Sequence, residues 1–197
     1  MEKKYRTEKD PETGLLRIIA LKDFSNVKKG DKGGLIEKEE NLSQEEDCWV
    51  YRNACVFGEA RICDNAKVWG WANVYENACV SENAWVYGNA RVFGEARVYG
   101  KAWVCSNAEI CDNARVFGNV AVRGAKVYGR AKLWATAGSD IYASSIENSK
   151  SYTVFGMKDG FRIFSSNAKN VGYYNDITIE NYIENIQTIR QLYGKEV

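Results

Sequence analysis

An aliphatic residue recurs every six positions through the middle of the chain. The frame runs without interruption from Val50 to Val122, with Val or Ile at each of its positions. A small residue, nearly always Ala, stands two positions before each aliphatic residue. Because side chains alternate between the two faces of a strand, this spacing puts both residues on one side. Each repeat is therefore predicted to form a short strand that buries one face.

The residues between the predicted strands favour a sharp turn in every repeat. They read Gly-Asn, Asp-Asn, Glu-Asn or Gly-Glu, and Gly and Asn tolerate positive φ. A six-residue unit is too short to form a hairpin, so we predict that each unit forms one side of a three-sided coil. Stacking at a spacing of about 4.8 Å would give a rod of about five coils. One irregularity is the five-residue step from Val122 to Val127, after which the frame resumes.

The flanks of the repeat are predicted to cover the ends of the solenoid, because an uncovered coil exposes unpaired strand edges. The repeat frame divides the chain into an N-terminal cap, a solenoid and a C-terminal cap, at residues 1–47, 48–137 and 138–197. Two hairpins are predicted, with strands at residues 4–7, 15–21, 152–155 and 161–164. Helical spacing of apolar residues predicts a helix from Thr178 to Tyr193. We expect both termini to combine into one small α+β capping module.

The repeat, with Ala-x-Val followed by a Gly or Asn turn, resembles the left-handed parallel β-helix built from hexapeptide repeats. The segments Gly30–Glu37 and Tyr152–Ile163 resemble the flanks of hexapeptide-repeat proteins from bacteria and their phages. The same superfamily includes acyltransferases. This resemblance implies a mainly β fold, a left-handed coil and a homotrimeric assembly.

Outward side chains eighteen residues apart are predicted to stack in columns, because three six-residue sides make one coil. One face, the first face, then carries an aromatic surface larger than a soluble monomer normally exposes. A closed cyclic assembly buries such a surface without open-ended polymerisation. The predicted homotrimer interface consists of Trp49, Tyr51, Trp69, Trp85, Tyr87 and Trp103.

Another face, the third face, combines basic and aromatic side chains. Its outward column before the aliphatic residues reads Arg61, Cys79, Arg97, Arg115, Lys132. Stacked like charges repel, so they are either solvated or neutralised by a partner. Two interpretations stay open: turn acids such as Glu59 and Glu95 balance the charge, or a small anionic or nucleotide ligand binds there. The predicted ligand-binding residues are Arg61, Arg97, Tyr99, Arg115, Phe117, Lys132 and Trp134.

The composition excludes several kinds of site. The chain of 197 residues has no His, which removes an imidazole base, a Ser–His or Cys–His pair and His metal ligands. Its six cysteines show no CxxC pair, so we interpret them as reduced thiols and expect no metal and no cofactor. Residues 48–137 carry 11 basic and 7 acidic groups, a net charge of +4. That charge is too weak to predict duplex nucleic acid as a partner.

These features lead to a functional expectation. Acyltransferases that resemble this repeat use a His base between subunits, and the carbonic-anhydrase type holds its metal with three His. We therefore expect no enzymatic activity, and predict a homotrimeric binding protein of phage or prophage type that sequesters a small anionic or nucleotide-like ligand. A structural or protein-interaction scaffold is the alternative, and a hexapeptide acyltransferase is the second alternative. Without an apolar leader or a membrane-length apolar run, we expect a cytoplasmic protein that does not bind membranes.

Overall fold

The computed structural model describes most of the chain. Its backbone is described for residues 2–142, 145–146, 152–157, 160–165 and 172–174, and its side chains for residues 2–133.

The described residues form short strands that follow the predicted six-residue frame. The strands are β1 (Tyr5–Lys9), β2 (Leu16–Ala20), β3 (Lys32–Ile36), β4 (Trp49–Val50), β5 (Cys55–Val56), β6 (Arg61–Ile62), β7 (Lys67–Val68), β8 (Asn73–Val74), β9 (Cys79–Val80), β10 (Trp85–Val86), β11 (Arg91–Val92), β12 (Arg97–Val98), β13 (Trp103–Cys105), β14 (Glu109–Ile110), β15 (Arg115–Arg123), β16 (Lys126–Val127), β17 (Lys132–Tyr142), β18 (Ser145–Ile146), β19 (Tyr152–Met157), β20 (Gly160–Ser165) and β21 (Gly172–Tyr174). A short 3-10 helix spans Glu39–Asn41. Nowhere in the described ranges is there a helix with the length and apolarity needed to cross a membrane.

The strands wind into the predicted three-sided parallel β-helix. Trp85 pairs with Trp103, Arg91 with Glu109 and Arg97 with Arg115, so each partner lies eighteen residues further along the chain. The first face stacks β4, β7, β10, β13, β15 and β17, the second β5, β8, β11, β14, β16 and β18, and the third β6, β9, β12, β15, β17 and β19. The solenoid has about six turns, one more than predicted, because β17 continues past the end of the repeat.

The five-residue step after Val122 shortens one coil without breaking the stack. Glu109 pairs with Lys126 and Arg115 with Lys132, so the register between these coils is seventeen residues instead of eighteen. The long strands β15 and β17 also run across the corner between the third and first faces. The predicted slip is thus confirmed as a change in register that leaves the core frame intact.

The aliphatic and Ala positions fill the interior of the prism. All of the repeat aliphatics from Val50 to Val122 are at most 1% exposed, and so are the Ala residues that precede them. Small residues at alternate positions leave room for the branched side chains, which is how a narrow core reaches native packing density. Burial of this interior is the main apolar contribution to the stability of the fold.

One turn position in every repeat adopts the left-handed conformation. It lies two residues after the aliphatic residue and is either Gly or a residue such as Glu76, Glu82 or Asp112, with φ of 59°, 56° and 57°. The Glu76 carboxylate accepts a hydrogen bond of 2.8 Å from the backbone N–H of Gly94, and Asp112 does the same for Gly129. This bond to the next coil offsets the cost of positive φ in a non-Gly residue. These acids are turn-formers, as the sequence indicates.

The N-terminal segment covers the first coil. The predicted hairpin is confirmed as β1 and β2, and β3 joins the second face by parallel pairing with β5. Lys4 is 1% exposed, and its Nζ donates to the carbonyl oxygens of Glu45, Glu46 and Cys48. Burial lowers the pKa of Lys4. Three carbonyl acceptors thus compensate a buried ammonium group that would otherwise be costly.

The C-terminal strands lie at the opposite end of the solenoid. The predicted hairpin is confirmed as β19 and β20, and β19 extends the third face by parallel pairing with β17. The expectation of a single module from both termini is wrong for the described strands. Each end of the solenoid has its own unpaired edge, and the nearest segment of the chain covers it. The helix predicted from Thr178 to Tyr193 lies outside the described residues.

The tight stacking of turns predicts different costs for two Gly→Ala substitutions. A Cβ at Gly94 would lie 2.7 Å from the backbone nitrogen of Asp112, whereas a Cβ at Gly124 meets nothing within 4 Å. Both residues have similar positive φ, of 71° and 69°. We expect Gly124→Ala to cost roughly 1 kcal/mol of unfolding free energy and Gly94→Ala roughly 1–3 kcal/mol more. Urea unfolding with unchanged m values measures both, and equal losses would contradict the predicted clash.

A basic and aromatic face as the candidate functional site

The third face presents a column of basic side chains interrupted by one thiol. Arg61 pairs with Cys79, Cys79 with Arg97, and Arg97 with Arg115, while Arg115 pairs with Lys132 across the shortened coil. We call this set the basic column. Parallel neighbours in a sheet are about 4.8 Å apart, so successive charges lie close together. The structure therefore brings together the cations that the sequence predicts.

A second column lies beside the basic column on the same face. Tyr99 and Phe117 stack with their ring centroids 4.9 Å apart and their planes within 1° of parallel. The backbone of Trp134 pairs with Phe117 on the next coil. Below Tyr99, this column continues with Ser81 and Cys63. The predicted base-stacking residues are thus in register, and the column changes from aromatic to small and polar beside the thiol.

The cations of the basic column are exposed and largely uncompensated. Within the described residues, no carboxylate forms an ion pair with Arg97 or Arg115. Glu59, which was expected to balance Arg61, forms an ion pair with Lys38 of the N-terminal cap, and Lys38 lowers the pKa of Glu59 more than Arg61 does. Stacked guanidinium groups without counter-charges attract anions, so this face is the strongest candidate for an anion-binding site.

On the second face, the positive charge of an arginine is neutralised by a carboxylate in the next coil. Arg91 forms an ion pair of 2.8 Å with Glu109 of the next coil, and Glu109 also lies 3.5 Å from Lys126. The guanidinium of Arg91 lies over the rings of Tyr75 and Phe93. The contrast makes Arg91 a matched control for the unpaired arginines of the third face.

The first face carries two stacked aromatic pairs. Trp69 stacks on Tyr87 at 5.0 Å, and Trp85 stacks on Trp103 at 5.7 Å. Trp69 and Trp103 are 39% and 42% exposed. Four of the residues predicted for a homotrimer interface therefore form a contiguous aromatic surface.

Trp49 does not belong to that exposed surface. It is 1% exposed, because the N-terminal segment covers it with Tyr5 and Phe24, whose rings lie 6.1 and 5.3 Å away. Placing Trp49 at an interface between subunits was thus wrong. Tyr51 is partly covered as well, and its hydroxyl donates a 2.6 Å hydrogen bond to Asn26. The first face is consequently available only from the second coil onward.

Two cysteines on the third face were missed as functional candidates. Cys79 and Cys63 are both partly exposed, and the thiol of Cys63 is within hydrogen-bonding reach of Cys79. This hydrogen bond, together with the charge of Arg97 and a hydrogen bond from Ser81, lowers the pKa of Cys79 to about 6. The signal in the sequence is the position of Cys79 between Arg61 and Arg97 at eighteen-residue spacing.

The other cysteines have different surroundings. Burial raises the pKa of the Cys55 thiol, which lies in the outward column of the second face, and that of the Cys111 thiol. Cys48 is buried in the first coil, where burial also raises its pKa. Within the part of the chain with described side chains, no group of three or more Cys, Asp or Glu is arranged to hold a metal ion.

Comparison with known proteins identifies the repeat. The family described as YdcK Beta solenoid repeat matches residues 84–100. Over 60 residues, the chain is 45% identical to a protein of Escherichia coli (strain K12) named Uncharacterized acetyltransferase YdcK. This match covers 29% of the chain and 18% of that relative's length.

The comparison corrects the expectation that the chain has no enzymatic activity. The relative is named as an acetyltransferase, which points weakly to an enzyme. The absence of His excludes an imidazole base, but thiols, carboxylates and cationic side chains also catalyse group transfer. The inference from missing His to missing catalysis was therefore wrong. The parallel coils and the family match together show that the central segment is a hexapeptide-repeat β-solenoid.

Proposed function

We propose that this chain is an acyltransferase of the β-solenoid type that binds an acyl-coenzyme A donor along its third face. The observation that carries the proposal is that two columns lie side by side on this face. One holds Arg97 and Arg115, which form no ion pair among the described residues, and the other holds the stacked rings of Tyr99 and Phe117. Coenzyme A carries a diphosphate and a further phosphate next to an adenine base. Guanidinium groups bind phosphate and aromatic rings stack on bases, so the two columns fit the two halves of such a ligand.

The named relative gives the proposal its reaction class. A protein similar to this chain over the repeat bears the name of an acetyltransferase. We propose acetyl-coenzyme A as the acetyl donor, because its phosphates and adenine match the basic and aromatic columns of the third face. Because the similarity covers a small part of that relative, the substrate that receives the acyl group is left open. The third face supplies what a donor site needs first, a fixed set of cations on a rigid sheet.

The first prediction from this proposal concerns ligand binding. We expect Arg97→Ala and Arg115→Ala each to weaken acetyl-coenzyme A binding at least tenfold, since each removes a charged hydrogen-bond donor to phosphate. Arg91→Ala on the second face is the matched control and should leave the affinity unchanged. Isothermal titration calorimetry at fixed salt measures all three dissociation constants. Equal affinities across the variants would place the donor site elsewhere.

The second prediction concerns the stability cost of an unpartnered basic column. Arg97→Thr should raise the unfolding free energy by roughly 0.2–1 kcal/mol at low salt, because it removes like-charge repulsion between stacked neighbours. Arg91→Thr should lower it, since Arg91 is paired with Glu109. Urea unfolding at two salt concentrations tests this, and both effects should shrink as salt screens the charges. A loss of stability in Arg97→Thr at low salt would contradict the proposed repulsion.

We also propose that the chain assembles through the aromatic surface of its first face into a homotrimer. Trp69, Trp85, Tyr87 and Trp103 support this, because a contiguous exposed aromatic patch is typical of an interface. In a cyclic trimer this patch on each subunit would contact a different patch on the next subunit, so the ring closes and covers all three aromatic patches.

The third prediction tests this assembly. We expect Trp103→Glu to dissociate the trimer into monomers, because it places a charge within the aromatic patch that the interface would bury. Phe93→Glu alters a stacked aromatic ladder on the second face instead, so it should leave the assembly unchanged. Native mass spectrometry reports the number of subunits in each variant. A monomeric unmodified protein at micromolar concentration would refute the assembly.

A further inference from the structure

The thiol of Cys79 occupies a position that is unusual for a structural cysteine. Its strand pairs on one side with Arg61 and on the other with Arg97, so guanidinium-bearing residues flank it on both neighbouring coils. The side chain points outward and is partly exposed. Reactive cysteines are found in such electropositive and accessible surroundings, whereas inert ones are buried among apolar groups.

Two hydrogen-bond donors also converge on Cys79. The thiol of Cys63 belongs to the residue that directly follows β6, and the hydroxyl of Ser81 belongs to the residue two positions after Cys79. Both contacts favour the thiolate, because each donates to the charged form of the sulfur. The pKa of Cys63 is raised, chiefly by the same hydrogen bond and by burial, so Cys63 keeps its proton and acts as the donor.

The charges around Cys79 do not all favour the thiolate. Arg97 lowers its pKa, while partial burial and the carboxylate of Asp64 raise it. Asp64 is engaged with the next coil, where it accepts a 2.8 Å hydrogen bond from the backbone N–H of Glu82. On balance the pKa of Cys79 lies below the usual range of a thiol, which favours the thiolate.

Cys63 is placed as a hydrogen-bond donor and not as a disulfide partner. The N–H of Cys63 donates to the carbonyl oxygen of Val80, which puts Cys63 opposite Ser81 and two residues along from Cys79. Strand geometry then separates the Cα atoms of Cys63 and Cys79 by roughly 8 Å. A disulfide needs less than about 7 Å, so the pair cannot close without moving the backbone.

We propose that Cys79 is a catalytic nucleophile that accepts the acyl group of an acyl thioester, forming a Cys79 thioester. The thiolate sulfur attacks the carbonyl carbon of the donor, and the bond from that carbon to the coenzyme sulfur breaks. The electron pair leaves with the coenzyme thiolate, which takes a proton from solvent, so one thioester is exchanged for another without any oxidant or reductant. Arg97 on the neighbouring coil and Ser81 beside Cys79 would stabilise the negative charge that develops on the carbonyl oxygen.

This inference rests on the proposed function for its donor but not for its nucleophile. The basic column continues from Cys79 through Arg97 to Arg115, so phosphates bound there place the coenzyme on the same face as the thiol. A covalent route through Cys79 also removes the need for an imidazole base, because a thiolate is already deprotonated when the donor arrives.

The nucleophile is tested by alkylation of the full-length protein with iodoacetamide, with peptide mass spectrometry reading each cysteine. At pH 6 we expect Cys79 to react about tenfold faster than an ordinary thiol, after allowing for the lower nucleophilicity of a low-pKa thiolate. Its rate should level off above pH 7, whereas the rate at Cys55 should still rise at pH 9. Cys63→Ala should shift the Cys79 midpoint to higher pH. A Cys79 profile identical to that of Cys55 would overturn the proposal.

The acyl step is tested by intact-protein mass spectrometry after incubation with acetyl-coenzyme A, and separately with S-acetyl-N-acetylcysteamine, a thioester that lacks the nucleotide. We expect one hydroxylamine-labile acetyl group, present in Cys55→Ser and lost in Cys79→Ser. Calorimetric binding of acetyl-coenzyme A without any acetyl group on Cys79 would overturn this inference and leave the donor site standing. Acetylation of Cys79 by the truncated thioester alone would support the nucleophile and refute the proposed donor site.

Discussion

Backbone hydrogen bonding between successive coils determines which side chains become neighbours in this molecule. Within the repeat, β4 to β13 each pair in parallel with the strand eighteen residues later, and Glu109 and Arg115 pair with residues seventeen later across the shortened coil. A residue's partners are thus fixed by its place in the frame. This constraint builds the Tyr99–Phe117 stack and also forces Arg97 against Arg115. A sheet that relied on side-chain preference alone would not place two guanidinium groups in adjacent positions, because like charges opposite each other are destabilising. Repulsion between Arg97 and Arg115 therefore lowers the stability of the fold, and burial of the apolar core offsets this loss.

The stacking of coils also restricts which residue types can occupy the turns. A chain that bends every six residues needs a left-handed residue at each corner, and the corners of successive coils come into backbone contact. Glycine satisfies both demands at Gly94, while Glu76 adopts a positive φ and its carboxylate accepts a hydrogen bond from the backbone N–H of Gly94 in the next coil. Acidic residues at the corners are thereby held in the backbone network. This explains why they do not neutralise the basic column, although they outnumber other acids in the solenoid.

Most of the fold is predictable from the sequence, because aliphatic, small and turn-forming residues recur every six positions and this recurrence defines the coils. The aliphatic and Ala positions, the seventeen-residue coil and both terminal hairpins follow from period and turn chemistry. Trp49 was misplaced because its burial depends on Tyr5 and Phe24, which reach it from a segment outside the repeat. The pairing of both termini into one module failed for a similar reason. No local pattern tells which end of the stack a cap will cover.

The candidate site shows where residue-by-residue reasoning about catalysis is too narrow. The absence of His excludes an imidazole base. It does not show how the fold changes the reactivity of other side chains, such as a cysteine thiol. On an isolated strand Cys79 would be an ordinary thiol, but stacking places it between Arg61 and Arg97 and brings the Cys63 thiol from the coil below. The stacked arginines repel one another and so destabilise this face, but the same positive charge stabilises a thiolate at Cys79. Reactivity on a solenoid thus depends on what lies one coil away, so a site can be found only after the register is known.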